Sequence, residues 1–302
     1  MPELPDIELY LHSLRQRVEG EALEATRLSS PFLLRTVEPP LTEAVGKTVV
    51  GLRRLGKRIV FDMGDELFLV FHLMISGRFQ WKKKGAKVPG RLGLAAFDFP
   101  QGTLLMTEAS KKKRAKLHVL RGEDALADHD PGGIDVLGLP LKEFQARLQA
   151  KNHTVKRALT DPRIFSGIGN AYSDEVLFDA KLPPHRWTTR LKDEEIARLH
   201  AALQETLVRW RDVLIAEAGE KWPTKITAFR PDMKVHGKYG EPCTICGNPI
   251  QRVAFASNEM NYCAHCQNGG KLLADRGLSR LLKGDWPKTL EQLEEMKRDR
   301  KA

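Results

Sequence analysis

The first eight residues, Met-Pro-Glu-Leu-Pro-Asp-Ile-Glu, bring a potential nucleophile and several carboxylates into one short stretch. If Met1 is removed, Pro2 becomes the terminal residue and its nitrogen becomes a secondary amine. An α-amino group titrates near pH 8, so roughly a tenth of it is unprotonated at neutral pH. Such an amine can attack a sugar C1′ and form an iminium, as a lysine does in a Schiff base. Glu3 can then move protons at the opened sugar.

The same stretch also suits the start of a helix, with a proline in the first turn and acidic side chains favoured by the helix dipole. This structural interpretation stays open on these residues alone. Residues 6–18 place four apolar side chains on one helical stripe: Ile7, Leu11, Leu14 and Val18. We therefore predict an amphipathic helix that packs on a core and holds Pro2 on a rigid element.

All four cysteines of the chain lie near its end, in two Cys-x-x-Cys pairs separated by sixteen residues: Cys243, Cys246, Cys263 and Cys266. Four thiolates at this spacing predict one tetrahedral zinc site per chain, with a hairpin between the pairs. A redox pair or unlinked buried thiols are the alternatives. Four sulfur ligands leave no open position, so this zinc would be structural and would not activate water.

Two further motifs suit a polyanion. In Ser166-Gly-Ile-Gly169-Asn170, paired glycines precede a helix and allow the backbone to approach a phosphate, to which Asn170 can donate. By itself, a Gly-x-Gly turn before a helix is more often a feature of ordinary packing. The segment Arg53–Arg58 is a basic turn between strands that includes Lys57, and a solvated hairpin tip is the alternative there.

Composition limits the classes of protein. The formal charge of +10 and the pI near 9.4 favour a polyanionic partner, although ribosomal and membrane-surface proteins share this balance. The sequence shows no apolar run of membrane-spanning length and no export signal, so we expect no membrane partner and a cytoplasmic or nucleoid location. In that compartment, paired cysteines indicate metal binding over disulfides.

The patterning predicts a multidomain α+β protein. Short β-rich runs between residues 45 and 120, separated by turn residues, predict hairpins in a sandwich or barrel; these runs are 48–50, 58–61, 67–71, 92–97 and 103–106. A Gly/Pro/Asp-rich stretch at 128–133 marks a domain boundary. Beyond it, helical periodicity predicts helices at 141–148, 154–159, 170–180, 193–217 and 287–298.

These motifs together resemble the formamidopyrimidine-DNA glycosylase/endonuclease VIII family of DNA repair enzymes. The resemblance rests on the opening octapeptide, on Gly169-Asn170 within its glycine motif, and on the flanks of the four cysteines, and it extends to about residue 267. It implies an N-terminal helix plus antiparallel β-sandwich over 1–127, a helix-two-turn-helix domain over 128–234 and a β-hairpin zinc finger over 235–267. A basic extension over 268–302 follows.

The resemblance also implies roles for particular residues. Pro2 and Glu3 match the family's catalytic pair, and Lys57 matches a lysine beside the lesion and its phosphate. Lys156, Gly169 and Asn170 match positions that bind DNA phosphates. The family's methionine wedge matches Ile75, with Met74 one residue earlier, so either side chain is a candidate to fill the space left by a flipped base.

Three departures from the family pattern bear on activity. An arginine that grips a phosphate is replaced by Asn258, which lacks the charge, and Arg252 or the extension is the candidate to compensate. The Arg-Arg-Phe wedge loop is replaced by a lysine-rich loop that includes Lys111, Lys112 and Lys113. Residues 217–229 are short beside the loop that caps oxidised guanine, so the resemblance leaves the lesion unspecified.

The resulting hypothesis is a monomeric DNA glycosylase with AP-lyase activity that acts on damaged DNA, either duplex or single-stranded. The alternative is a family member that recognises lesions or DNA structures with little or no catalysis, as the change at Asn258 and the altered wedge loop would allow. The third hypothesis is a nucleic-acid-binding module unrelated to repair, in which Pro2 and Glu3 have no catalytic role.

Overall fold

The computed structural model describes residues 1–254, 259–275 and 278–299. The chain forms two compact units. The first consists of Met1–Asp135 and Val208–Thr227, and the second of Val136–Leu207 and Ala228–Ala302, so the division falls within one long helix. In the described residues, no helix is both long and apolar enough to cross a bilayer.

The first unit contains helix α1 (Leu4–Val18) and two four-stranded antiparallel sheets. One sheet has the order β1-β6-β7-β5, with strands Ala25–Leu28, Gly93–Phe99, Gly102–Glu108 and Gly77–Lys82. The other has the order β2-β3-β4-β8, with strands Gly51–Leu55, Arg58–Asp62, Leu67–His72 and Lys116–Arg121. A short helix, α2 (Glu123–Ala127), follows β8.

The two sheets and α1 share one hydrophobic core, which confirms the predicted β-sandwich. Phe71 of one sheet meets Phe79 and Phe97 of the other edge to face, with ring centroids 5.2 Å apart in both pairs. The apolar stripe of α1 belongs to the same core, because Ile7 and Leu14 are fully buried in it. The start of α1 is therefore fixed by packing along the whole helix.

The second unit is mainly helical up to residue 207. Its helices are α3 (Leu141–Gln149), α4 (Val155–Thr160), α5 (Asn170–Asp179) and the first part of α6 (Asp193–Ala218). These bounds agree with the predicted helices to within one or two residues. Phe144 and Phe165 stack in the interior, with centroids 5.0 Å apart. One short strand, β10 (Phe165–Ser166), lies in this part of the chain, whereas β9 (Ile134–Asp135) ends the first segment of the first unit.

The chain then forms a two-stranded hairpin, β11 (Gln251–Ala254) and β12 (Glu259–Tyr262), followed by α7 (Ala264–Asn268) and α8 (Leu278–Leu282). The last helix, α9, runs from Leu290 to Asp299 and not from residue 287 as predicted. The reason is local: Thr289 pairs with Lys271 as an isolated bridge, and its hydroxyl accepts the amide of Gln292. Thr289 therefore caps the helix, which cannot begin earlier.

Candidate functional site

The residues at the start of α1 are buried although several of them are polar. Pro2 is buried, and Glu3 and Asp6 expose only 3% and 2% of their surface. The amide of Glu3 donates to Asp6 Oδ2 over 2.8 Å, as the cap of the helix. Asp6 thus satisfies an amide at the helix end. The structure includes Met1, so the Pro2 nitrogen here is part of a peptide bond.

This end of α1 has an unusual electrostatic environment. Burial lowers the pKa of the Met1 amine; Glu3 and Asp6 oppose that change, and Arg78 and Lys57 add to it. Burial also raises the pKa of Asp6 to about 6, although the hydrogen bond from Glu3 works in the opposite direction. The Met1 amine is therefore more often neutral, and so more nucleophilic, than an α-amine in water.

Lys57 lies in the two-residue turn between β2 and β3, where Gly56 adopts a left-handed conformation with φ of 62°. A glycine meets this requirement without steric cost. Lys57 is half-buried, and its charge acts on the terminal amine. The structure thus brings together Lys57 and the start of α1, which lie more than fifty residues apart in the sequence.

The neighbouring arginines have structural partners. Arg54 is 6% exposed in its side chain and pairs with Glu8 at 2.9 Å and with Asp135 at 2.5 Å. Arg53 pairs with Glu123 and lies over the ring of Phe68. Within the basic stretch, Arg53 and Arg54 therefore stabilise the first unit. Lys57 instead acts on the terminal amine.

The two wedge candidates differ in exposure. Met74 is half-buried and has a left-handed backbone with φ of 54°, whereas Ile75 is 55% exposed. The turn that holds them is tight: a Cβ on Gly77 would come within 2.2 Å of the Leu73 carbonyl oxygen. Ile75 is consequently the apolar side chain that this turn presents to solvent.

The lysine-rich loop is attached to that turn through a carboxylate that the sequence did not single out. Glu108 is 1% exposed and accepts from Ser76 Oγ at 3.1 Å and from the Ala115 amide at 3.0 Å. Lys113 donates to the Glu108 backbone carbonyl, while Lys111 and Lys112 are exposed. Glu108 was missed because a lone glutamate at a strand end carries no recognisable pattern.

A cavity of about 410 Å³ opens in the first unit and was also missed. Its lining includes Arg78, Gln80, Trp81 and Trp222, and the two indole rings lie 6.3 Å apart. Arg78 donates to three backbone carbonyls, those of Ile75, Gly77 and Ile226. Its charge also acts on the Met1 amine. No local pattern predicts this cavity, because Trp81 and Trp222 are brought together only by the fold.

In the second unit, the predicted phosphate-binding lysine is held by a buried carboxylate. Lys156 Nζ lies 2.6 Å from Asp174 Oδ1 and donates to the Asn170 carbonyl over 2.7 Å. The other oxygen of Asp174, which is 1% exposed, lies 2.8 Å from His236 Nδ1. The side-chain amide of Asn170 donates to the Glu259 carbonyl over 2.6 Å. Lys156, Asn170 and the β11–β12 hairpin are thus joined in one hydrogen-bonded network.

The hairpin also carries Arg252, which lies 4.4 Å over the ring of Tyr239 and pairs with Glu259 at 3.4 Å. Its side chain is 49% exposed, so it remains accessible to an anion. Asn258, the predicted replacement for the family arginine, lies outside the described residues. Gly169 precedes the first residue of α5 and allows the chain to enter that helix.

The four cysteine sulfurs form a metal site. All four ligand atoms lie within 4.8 Å of one another, with 3.9 Å between Cys243 and Cys266 and 3.5 Å between Cys246 and Cys263. A tetrahedron of thiolates about 2.3 Å from a zinc ion places its sulfurs about 3.8 Å apart. The arrangement fits a structural Zn²⁺ and confirms the prediction of one such site in this part of the chain.

Three family models match successive parts of the chain. The formamidopyrimidine-DNA glycosylase N-terminal domain matches residues 1–123, the formamidopyrimidine-DNA glycosylase H2TH domain matches 138–210, and the zinc finger found in FPG and IleRS matches 240–269. The order of the three agrees with the predicted order of domains. The exact domain boundaries given above stay predictions.

Relatives that align over nearly their full length belong to the same family as these models. The formamidopyrimidine-DNA glycosylases of Geobacillus kaustophilus and of an Exiguobacterium species are each 30% identical, and the alignments cover 88% of this chain and 100% and 99% of theirs. Among solved structures, Lactococcus lactis Fpg bound to DNA containing an abasic site has a TM-score of 0.77 at 25% identity. That match covers 88% of this chain and 99% of the other. A complex of the same protein with DNA containing an oxidized pyrimidine has a TM-score of 0.77 at 26% identity.

Proposed function

Because the chain belongs to the formamidopyrimidine-DNA glycosylase family, we propose that it excises damaged bases from DNA and then cleaves the strand as an AP lyase. The observation that carries this proposal is the start of α1. There, a proline and a glutamate are buried beside Lys57 and Arg78, in surroundings that lower the pKa of a terminal amine. Removal of Met1 would expose the Pro2 nitrogen in these surroundings.

The proposed reaction begins when the neutral Pro2 amine attacks C1′ of the damaged nucleotide. The C1′–base bond breaks and the base leaves with a proton, while Glu3 supplies and accepts protons at the sugar. The nitrogen lone pair then expels O4′, which takes a proton from Glu3, so the C1′–O4′ bond breaks and the sugar ring opens. The resulting iminium at C1′ makes the C2′ proton acidic. Loss of that proton expels the 3′ phosphate by β-elimination, and hydrolysis of the iminium releases the amine.

Substrate binding would draw on several basic and polar groups. Lys57, Lys156, Asn170 and Arg252 are proposed to contact phosphates, with the exposed Lys111 and Lys112 adding a salt-dependent attraction. Asn258 would give only a neutral contact. The cavity beside Arg78 and the two tryptophans is large enough for a nucleobase and is proposed to receive the everted base.

Borohydride trapping tests the proposal. Wild-type protein incubated with a duplex containing an abasic site and then reduced should form a covalent adduct, and peptide mass analysis should locate the sugar on Pro2. Mass analysis of the intact protein should show that Met1 is absent. An adduct on a lysine, no adduct, or a retained Met1 would each reject the mechanism.

Glu3 is tested separately by Glu3→Gln, with Glu19→Gln as the matched control because Glu19 is exposed at the other end of α1. General acid–base catalysis contributes on the order of 10²- to 10⁴-fold. Glu3→Gln should therefore slow base release by at least about 100-fold. Glu19→Gln should leave the rate unchanged.

A second candidate is a lesion-binding protein with little or no catalysis. The specific observation in its favour is the loop at 110–116, in which lysines replace the family's aromatic wedge. It predicts tight, salt-sensitive binding to damaged DNA without an adduct or a cleaved product. The trapping experiment separates it from the enzyme.

A further inference from the structure

Residues 271–275 and 278–299 lie beyond the last family match, which ends at residue 269, yet they are not detached from the fold. Their side chains pack on the β11–β12 hairpin: Leu272, Leu273 and Leu290 contact the small core formed by Val253, Met260, Tyr262 and Ala264. Tyr262 is 1% exposed. We name the residues 271–275 and 288–290 the C-terminal brace.

Two hydrogen bonds attach the brace to the two strands of the hairpin. The Ala254 amide, the last of β11, donates to Asp275 Oδ2 over 2.8 Å, and the Leu273 amide donates to Tyr262 Oη over 2.8 Å. Asp275 is only 8% exposed. A bond from an amide to a nearly buried carboxylate is stronger than one between neutral groups, so this contact is specific.

The brace is closed on itself. The Leu272 amide donates to the Lys288 carbonyl over 2.8 Å, and Lys271 forms an isolated bridge with Thr289. The two ends of the brace therefore hold each other where they meet the hairpin. A chain end that only trailed from the finger would have no such closure.

The hairpin transmits this attachment to a proposed phosphate-binding residue. Ala254 and Glu259 are paired across the two strands, and the Glu259 carbonyl is the acceptor for the side-chain amide of Asn170. Asp275 thus holds one member of a cross-strand pair, and the other member orients Asn170. Asp275 is therefore connected to Asn170 through Ala254 and Glu259, all within the second unit.

We infer that the C-terminal brace positions the zinc hairpin and Asn170, and that Asp275 is its main positioning residue. Isolated two-stranded hairpins are marginally stable in water, and each strand here has only four residues. The cysteines flank the end of the hairpin where β11 begins and β12 ends, because Cys246 precedes β11 and Cys263 follows β12. Ala254 lies at the other end of β11 and needs a separate attachment. The consequence for DNA rests on the proposed function, but the consequence for the hairpin does not.

The test compares three variants of the full chain. Asp275→Ala removes the acceptor of the Ala254 amide, and Asp275→Asn keeps an oxygen acceptor at the same place. Asp285→Ala is the matched control, because it removes the same charge from an exposed position in the same segment. Zinc content and the far-UV spectrum of each variant report whether it folds.

Amide hydrogen exchange is the first measurement. In Asp275→Ala, the amides of β11 and β12 should exchange roughly tenfold faster than in wild type, because their local opening becomes easier. Asp275→Asn should recover most of the protection, and Asp285→Ala should match wild type. Unchanged exchange in Asp275→Ala would overturn the inference whether or not the protein is an enzyme.

The second measurement is the KM and kcat of cleavage at an abasic site, with the Kd for the same duplex. Removal of a negative charge should by itself tighten binding to a polyanion. If the brace positions Asn170, Asp275→Ala should instead weaken binding. We expect KM and Kd to rise by roughly three- to tenfold, with kcat changed less than about twofold. A Kd shift equal to that of Asp285→Ala would overturn the inference. If the wild type does not cleave the duplex, the proposed function is rejected but the inference about the brace is not. The exchange and Kd results would still decide that inference.

Discussion

The start of α1 and the β11–β12 hairpin are two places where we expect the chain to meet DNA, and they are stabilised in different ways. Pro2 and Glu3 begin a helix whose apolar face is buried in a core shared by two sheets. The hairpin has a small core of its own and depends on particular links: four cysteine sulfurs, the Tyr262 hydroxyl and Asp275. A site on a large core is fixed by many weak contacts, whereas a small module is fixed by a few strong ones.

The first prediction breaks the hairpin at its strongest link. Cys263→Ser removes one of four ligands, and structural zinc sites supply about 10 to 16 kcal/mol of folding free energy in isolated fingers. We expect loss of stoichiometric zinc and loss of exchange protection in β11 and β12. Amides of β4 and β7, in the first unit, should keep their protection. Retained zinc at wild-type affinity would contradict the assignment of the site.

The second prediction concerns the buried charges of the second unit. Asp174→Ala leaves Lys156 and His236 without their shared carboxylate, and the loss of one partner from a buried pair costs about 3 to 5 kcal/mol. The exposed pair of Lys238 and Glu241 is the matched comparison, so Glu241→Ala should cost less than about 1 kcal/mol. Urea denaturation measures both. Equal costs would show that burial of Asp174 contributes nothing.

The third prediction tests the core beneath the first site. Leu14 is fully buried on α1, and Leu14→Ala should destabilise the first unit by about 2 to 5 kcal/mol through the lost contacts and the cavity. Because packing holds the start of α1, the rate of borohydride trapping should fall together with the stability of the first unit. An exposed position on the same helix, Arg15→Ala, should change stability by less than about 0.5 kcal/mol. Trapping that survives a destabilised α1 would argue against the role given to packing.

The fourth prediction has the smallest effect and concerns pH. The pKa of Asp6 rises from 3.8 to about 6 on folding, so its ionised form is disfavoured in the folded protein. The penalty is absent below the unfolded pKa, grows as pH rises from 4 to 6, and is complete above pH 6, where it reaches at most about 3 kcal/mol. Asp6→Asn keeps an acceptor for the Glu3 amide and should raise Tm at pH 7.5. The gain should shrink as pH falls towards 4, and a gain that is constant with pH would contradict the shift.

Much of the fold was predictable because local patterns carried it. The runs at 58–61, 67–71, 92–97 and 103–106 became β3, β4, β6 and β7, since short continuous apolar runs bounded by turn residues suit buried strands. The run at 48–50 forms only isolated bridges beside β2. Strands β5 and β8 were missed because charged and polar side chains such as Arg78, Lys82, Lys116 and His118 interrupt their apolar pattern.

The site was predictable in part. Pro2, Glu3 and Lys57 were singled out from the sequence, and in the structure the charges of Glu3 and Lys57 both act on the Met1 amine next to Pro2. Asp174, Glu108 and the cavity beside Trp81 and Trp222 were not, because each depends on partners far away in the chain. The roles proposed for Met74, Lys111 and Arg252 stay predictions.

The sequence by itself determined the zinc ligands, the amphipathic α1 and the family, because these depend on spacings within a few turns or on short motifs. The tertiary structure alone decided which polar groups are buried and what they contact. Lys156 is a phosphate-binding candidate in the sequence but a partner of Asp174 in the fold, and a tail of no evident purpose becomes a brace on a hairpin. Burial and pairing depend on the whole packed chain, and no local spacing specifies them.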